Sequence, residues 1–354
     1  MLDLQAGFFK NKNILITGHT GFKGAWLAKT LHLAGADVTG FALEPATSPS
    51  LFSLLGLQEN IRHVAGDIRE PGSIRTVIDQ VQPEIVIHMA AQAIVKTAYE
   101  DPASTYATNV MGSVNLLDAV RENATIRSLV FITSDKCYEN VEWPWGYREE
   151  DRLGGRDPYS ASKACAELVF SSYFRSYLKD RSDLDAATAR AGNVIGGGDW
   201  AEGRIIPDCI RAIEKQEPII LRNPLATRPW QHVLEPLSGY LLLAQKLYEE
   251  PGMWSGSWNF GPDTRTVINV EGVAKSIVSH LGRGEIKIDA DTGQFHEATL
   301  LQLNCDKAHQ LLRWHPRWDA AETLEQTALW YRDYLDDKDI INITEQQIVQ
   351  YFGE

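Results

Sequence analysis

Apolar and polar positions follow two rhythms along the first half of the chain. Nearly unbroken apolar runs fall at 13–17, 37–42, 84–88 and 128–133. A strand lacks a polar side only when both of its faces are covered, so these runs predict buried strands of a parallel sheet. Between them, segments 25–33, 73–81 and 109–120 carry apolar residues every three or four positions, the spacing of an amphipathic helix. The first ends at Gly35 and the second before Pro83, both of which stop helices. A further helix is expected over 158–178 and a strand over 185–190. Repeated strand–helix units with right-handed crossovers predict an α/β fold, a doubly wound parallel sheet of the Rossmann type.

The texture changes after Gly192, through Gly196-Gly197-Gly198-Asp199-Trp200 and Arg228-Pro229-Trp230. A second, smaller α/β substrate-binding domain is expected there. The predicted division gives 1–190 with 232–262 to the dinucleotide domain, and 191–231 with 263–354 to the substrate domain. The helical pattern at 320–335 suggests an ordered lid or substrate module. A length of 354 residues supports this division, because it exceeds what one hydrophobic core usually fills.

Composition narrows the partners. With 44% hydrophobic and 23% charged residues, and no apolar run near the roughly 18 residues of a membrane span, a soluble protein without a membrane partner is expected. The start of the chain has neither a basic flank nor a long apolar run, so a cytoplasmic location is expected. A net charge of −13 opposes a phosphate-backbone footprint, which excludes nucleic acid as a natural partner. Cys137, Cys165, Cys209 and Cys305 are too scattered for a zinc site or a disulfide framework, so no metal is expected.

Three clusters carry candidate chemistry. Gly18-His19-Thr20-Gly21-Phe22-Lys23-Gly24 follows the first strand and opens the first helix, the context in which glycines cradle a pyrophosphate. Tyr159 and Lys163 stand four apart on a predicted helix and share a face. A lysine charge at about 4 Å in an effective dielectric of about 20 is worth about 4 kcal/mol, enough to bring a phenol toward neutrality as a base. Ser134-Asp135-Lys136 follows the fourth predicted strand, and active sites of open α/β sheets lie beyond such strand ends.

Taken together, the Gly-x-x-Gly-x-x-Gly spacing and Tyr159-Ser160-Ala161-Ser162-Lys163 resemble the extended short-chain dehydrogenase/reductase family, from about residue 13 to 334. Most of its members act on nucleotide sugars. The resemblance implies NAD, held by Gly18, His19, Gly21, Phe22, Lys23 and Gly24, by Asp67 and Ile68 at the adenine, by Ala90, Ala91 and Gln92 after a strand, and by Asn109. The family's ribose-binding acid is replaced by Ala42, with Glu44 two residues on. No Arg or Lys lies between Val38 and Ser50 to receive a 2′-phosphate, which favours NAD over NADP.

The Asp135-Lys136 pair resembles the nucleotide-sugar 4,6-dehydratases, in particular the branch that takes CDP-glucose; the thymidine-diphosphate branch carries Thr-Asp-Glu at these positions. Segments 191–200, 204–207, 228–233 and 296–297 agree with that branch. The resemblance implies that Asn193, Arg204, Arg228 and His296 bind substrate, while Ser134, Asp135, Lys136, Tyr159 and Lys163 are catalytic. In such a reaction Asp135 donates a proton to the leaving C6 hydroxyl. Lys136 or a water removes the C5 proton. Another 4,6-dehydratase, a 4-epimerase and a non-catalytic NAD-binding sensor are the alternatives. The family also implies a homodimer, with a tetramer as the alternative, and a product that feeds 3,6-dideoxyhexoses of surface polysaccharides.

Overall fold

The computed structural model describes residues 4–263, 268–289 and 300–353. Seven parallel strands form its central sheet: β1 (Asn13–Thr17), β2 (Asp37–Ala42), β3 (Arg62–Ala65), β4 (Ile85–His88), β5 (Ser128–Ile132), β6 (Asp185–Ala191) and β7 (Gly256–Phe260). Their order is β7-β6-β5-β4-β1-β2-β3. Ile14 of β1 stands beside Val38 of β2 on one side and Ile85 of β4 on the other, so the direction of winding reverses across β1. Such a reversal opens a crevice at the carboxyl ends of the strands.

The continuous apolar runs are explained by two cores, one on each face. Leu15, Val86, Leu129 and Ala186 point to one side, under α2 (Ser73–Val81), α3 (Gly112–Glu122) and α4 (Pro158–Tyr173). Their neighbours Ile14, Ile16, Ile85, Ile87, Val130 and Ala187 point to the other, under α1 (Phe22–Leu33) and α6 (Leu234–Glu249). Alternation of period two along each strand therefore feeds two apolar layers. Helix α4 starts where Asp157 caps the Ser160 amide at 3.0 Å and Pro158 takes the first helical position. The helices expected at 109–120 and 158–178 each contain a π-helical turn, at Ala107–Met111 before α3 and at Phe174–Leu178 after α4.

Beyond β6 the chain builds short strand pairs. Val194–Ile195 runs parallel to Gln231–His232, Ile219–Leu221 parallel to Ile286–Ile288, and Thr227–Arg228 antiparallel to Ile268–Asn269. Helices α5 (Ile205–Glu214) and α7 (Val270–Leu281) pack beside them. The segment expected as a lid or substrate module packs as an ordered part of the molecule rather than over the cleft as a lid. Helix α8 (Ala320–Leu335) packs on α7 and on the short strands Val194–Ile195 and Gln231–His232, and α9 (Ile340–Phe352) packs on α8 and α1. Buried Glu235 on α6 accepts from the amides of Arg317 and Trp318 and from the Tyr351 hydroxyl (2.6 Å), and Lys29 on α1 meets Glu345 at 2.6 Å. No helix of the described residues is long and apolar enough to cross a membrane.

Candidate active site

A cleft of about 2480 Å³ opens at the carboxyl edge of the sheet, between the first-helix loop and the short strand pairs. Single small-ligand pockets hold roughly 300–1,000 Å³, so this volume suits two ligands side by side. Its floor is the glycine loop. Gly18 has φ +79°, and a Cβ there would come within 2.7 Å of the Ala90 amide nitrogen. A Cβ on Gly24 would lie 2.2 Å from the Gly18 carbonyl oxygen. The loop is thus pressed flat against the turn after β4. Gly21, which precedes α1, offers no capping side chain, and the residues of that first turn line the cleft.

Ser134, Asp135, Lys136, Tyr159 and Lys163 converge on the same cleft. Ser134 Oγ donates to Asp135 Oδ1 at 2.9 Å and accepts from the Lys136 amide, which fixes the short helical turn Asp135–Cys137. Asp135 is buried and Lys136 half-buried, and among the described residues they form no ion pair with each other. Burial pushes the Tyr159 phenol up to about 12. The opposing pull comes first from the hydrogen bond to Ser134 and then from the charge of Arg204, rather than from Lys163 as the helix spacing predicts. Burial likewise draws Lys163 down to about 8, against the upward pull of Cys137 and Glu167.

Lys23 is half-buried at the cleft floor, where its ammonium donates to Tyr240 Oη at 3.1 Å. Desolvation, together with Lys163 and Arg204, lowers it to about 7. Arg204 is held by Asp199 Oδ2 at 2.8 Å, and its charge acts on Tyr159 and Lys23, which places it beside the acid–base groups. Arg228 and Asn193 line the cleft further along the wall formed by the short strands. Gly21, Phe22, Asp67, Ile68, Ala90 and Ala91 line its other half.

Three residues expected to line the cofactor half do not face it. His19 is fully buried, and its Nε2 shares a 2.7 Å hydrogen bond with His63 Nδ1. Asn109 is buried and clamps the backbone of Gln92 through its oxygen (2.8 Å) and nitrogen (3.0 Å), so both shape the turn after β4 from behind. His296 lies outside the described residues. At the end of β2, Glu44 lines the cleft 3.8 Å from His63 Nε2 and is the acid beyond Ala42. Trp200 packs edge-on against Tyr331 in the core, whereas Trp230 lines the cleft with its indole N–H bonded to the Ile268 carbonyl. Sequence reasoning missed Glu167 and Arg190, which sit in segments that read as ordinary helix and strand, and Tyr240, whose segment reads only as part of the dinucleotide domain.

Comparison with known proteins agrees with this architecture. A solved dTDP-glucose 4,6-dehydratase from Bacillus anthracis in complex with NAD superposes with a TM-score of 0.76 at 22% identity, covering 93% of this chain and 99% of the other. A UDP-glucose 4-epimerase from Stenotrophomonas maltophila with bound NAD gives 0.79 at 21% identity, over 92% and 99%. At such identity the likeness concerns the fold. In sequence, a CDP-glucose 4,6-dehydratase from Salmonella typhimurium is 45% identical over 99% of this chain and 99% of its own length. The family model described as GDP-mannose 4,6 dehydratase matches residues 15–327. The chain belongs to that family, within the extended short-chain dehydrogenases/reductases.

Proposed function

We propose that the protein converts CDP-glucose to CDP-4-dehydro-6-deoxyglucose with NAD as a resident cofactor. The observation that carries this reading is the meeting of Asp135 and Lys136 with Ser134, Tyr159 and Lys163 on one cleft, since a 4-epimerase needs no acid or base beyond the last three. The flat glycine loop and the open first turn of α1 suit a pyrophosphate, and Glu44, Asp67, Ile68, Ala90 and Ala91 continue the bed toward the adenosine end. Bound there, NAD would accept the C4 hydride of the hexose and return it to C6, leaving no net oxidation.

The chain's own groups move the protons. Tyr159, which the Ser134 hydrogen bond and the Arg204 charge draw toward ionisation against its burial, takes the C4 hydroxyl proton in its phenolate form, while Ser134 hydrogen-bonds the same oxygen. The resulting ketone acidifies C5, whose proton passes to Lys136. Asp135 protonates the C6 hydroxyl, which departs as water. Arg228 and Asn193 hold the diphosphate, a task suited to the forked donors of arginine. Arg204, beside Tyr159, is better placed to fix the hexose end than the diphosphate.

In this reading the enzyme works in the cytoplasm on a precursor of surface-polysaccharide dideoxyhexoses. A homodimer is supported by exposed apolar side chains at Met111 and Leu168, beside α3 and on α4. Incubation with CDP-glucose and NAD should yield a sugar nucleotide lighter by one water, with the base-induced ultraviolet absorbance of a 4-keto sugar. An unchanged mass with inversion at C4 would make it an epimerase instead.

A further inference from the structure

Directly behind the catalytic loop lies an ion pair that the reaction above does not use. Glu167 is four residues past Lys163 on α4, so it sits on the same helix face one turn deeper. Its carboxylate accepts from Arg190 Nε and Nη2, both at 2.8 Å, and from Thr188 Oγ1 at 2.9 Å. It also accepts from the hydroxyl of Thr133. Both charged side chains are only 3% exposed. Arg190 spends its remaining donors on Ser257 Oγ (2.9 Å), the Glu149 carbonyl (2.9 Å) and Tyr138 Oη (2.8 Å). All five guanidinium N–H groups are thereby engaged, which a lysine could not reproduce. The Tyr138 hydroxyl in turn donates to Asn259 Oδ1 at 2.8 Å.

Thr133 and Tyr138 are the two ends of the loop that carries Ser134, Asp135 and Lys136. One end is tied to Glu167 and the other to Arg190. Glu167 belongs to the helix that carries Tyr159 and Lys163, and Arg190 to β6. We infer that the Glu167–Arg190 pair is a positioning device that locks the loop bearing Ser134, Asp135 and Lys136 in register with the helix bearing Tyr159 and Lys163. A buried ion pair of this kind adds little to stability over apolar residues of equal volume. Its value here is geometric, because a displacement of about 1 Å between reacting groups costs about a hundredfold in rate.

The inference rests on the proposed reaction, and its test separates the two. Tyr138→Phe keeps the ring and removes one tie; Thr133→Val keeps the shape and removes the other. Each variant should melt close to the wild type and keep its CDP-glucose KM within about twofold, while kcat falls about tenfold or more. A wild type that forms 4-keto sugar, with either folded variant matching its kcat, would overturn the positioning role alone. A wild type that forms none would overturn the reaction itself. Should one variant fail to fold, the other decides.

Discussion

At the scale of single residues, the acid–base pair is set by burial more than by mutual attraction. Tyr159 and Lys163 were legible from their spacing, but spacing carries no information about desolvation, which raises one group and lowers the other. Lys163 loses its proton as pH rises through about 8, so a step that needs its charge weakens above that value. The pH profile of kcat/KM should fall on its alkaline side near about 8, and Lys163→Arg should move that limb upward because a guanidinium stays protonated. A limb that stays in place in Lys163→Arg would assign it to another group. His19 marks the opposite limit of sequence reading. Within the glycine motif it looks like a ligand contact, yet the fold turns its ring inward to His63, a partner 44 positions away.

Among the elements, those with unbroken apolar runs were visible, and β1 and β2 fall at 13–17 and 37–42 as expected. β3 (Arg62–Ala65) and β7 (Gly256–Phe260) were not, because an edge strand needs one covered face and its polar residues hide the pattern. The Gly196-Gly197-Gly198 segment shows what a glycine run can conceal. A Cβ on Gly197 would fall 2.0 Å from the Trp330 ring of α8, and the Gly197 carbonyl accepts from Trp26 Nε1 at 2.9 Å. The glycine is there so that two tryptophans can close on the backbone. Gly197→Ala should therefore lower stability by about 1–3 kcal/mol, read as a shift in the urea midpoint. An unshifted midpoint would mean that α8 can withdraw without loss.

For the molecule as a whole, the net charge of −13 sits around a cleft whose working groups include Lys23, Lys163, Arg204 and Arg228, so anion binding depends on local geometry rather than on the overall field. Buried histidines set its response to acid. Burial draws His88 and His232 down to about 3 and His19 to about 4, from 6.5. Between those values the unfolded chain binds protons that the folded one refuses, so stability is intact above about pH 6.5 and declines as pH falls toward about 3. Melting temperatures should drop steadily across that window, and His232→Phe, between Trp26 and Trp318, should flatten the slope. A slope identical to wild type would remove His232 from the balance.

The brace formed by α8 and α9 also bears on how the chain comes together. Tyr351, Ile348 and Trp330 belong to the same core as Trp26 and Phe9, and Glu345 neutralises buried Lys29. The helix that follows the glycine loop is therefore sealed by helices that lie far along the chain, beyond both the sheet and the short strand pairs. Five of the seven strands of the large sheet are complete by Ile132, yet one of its two apolar layers stays open until α8 and α9 have docked.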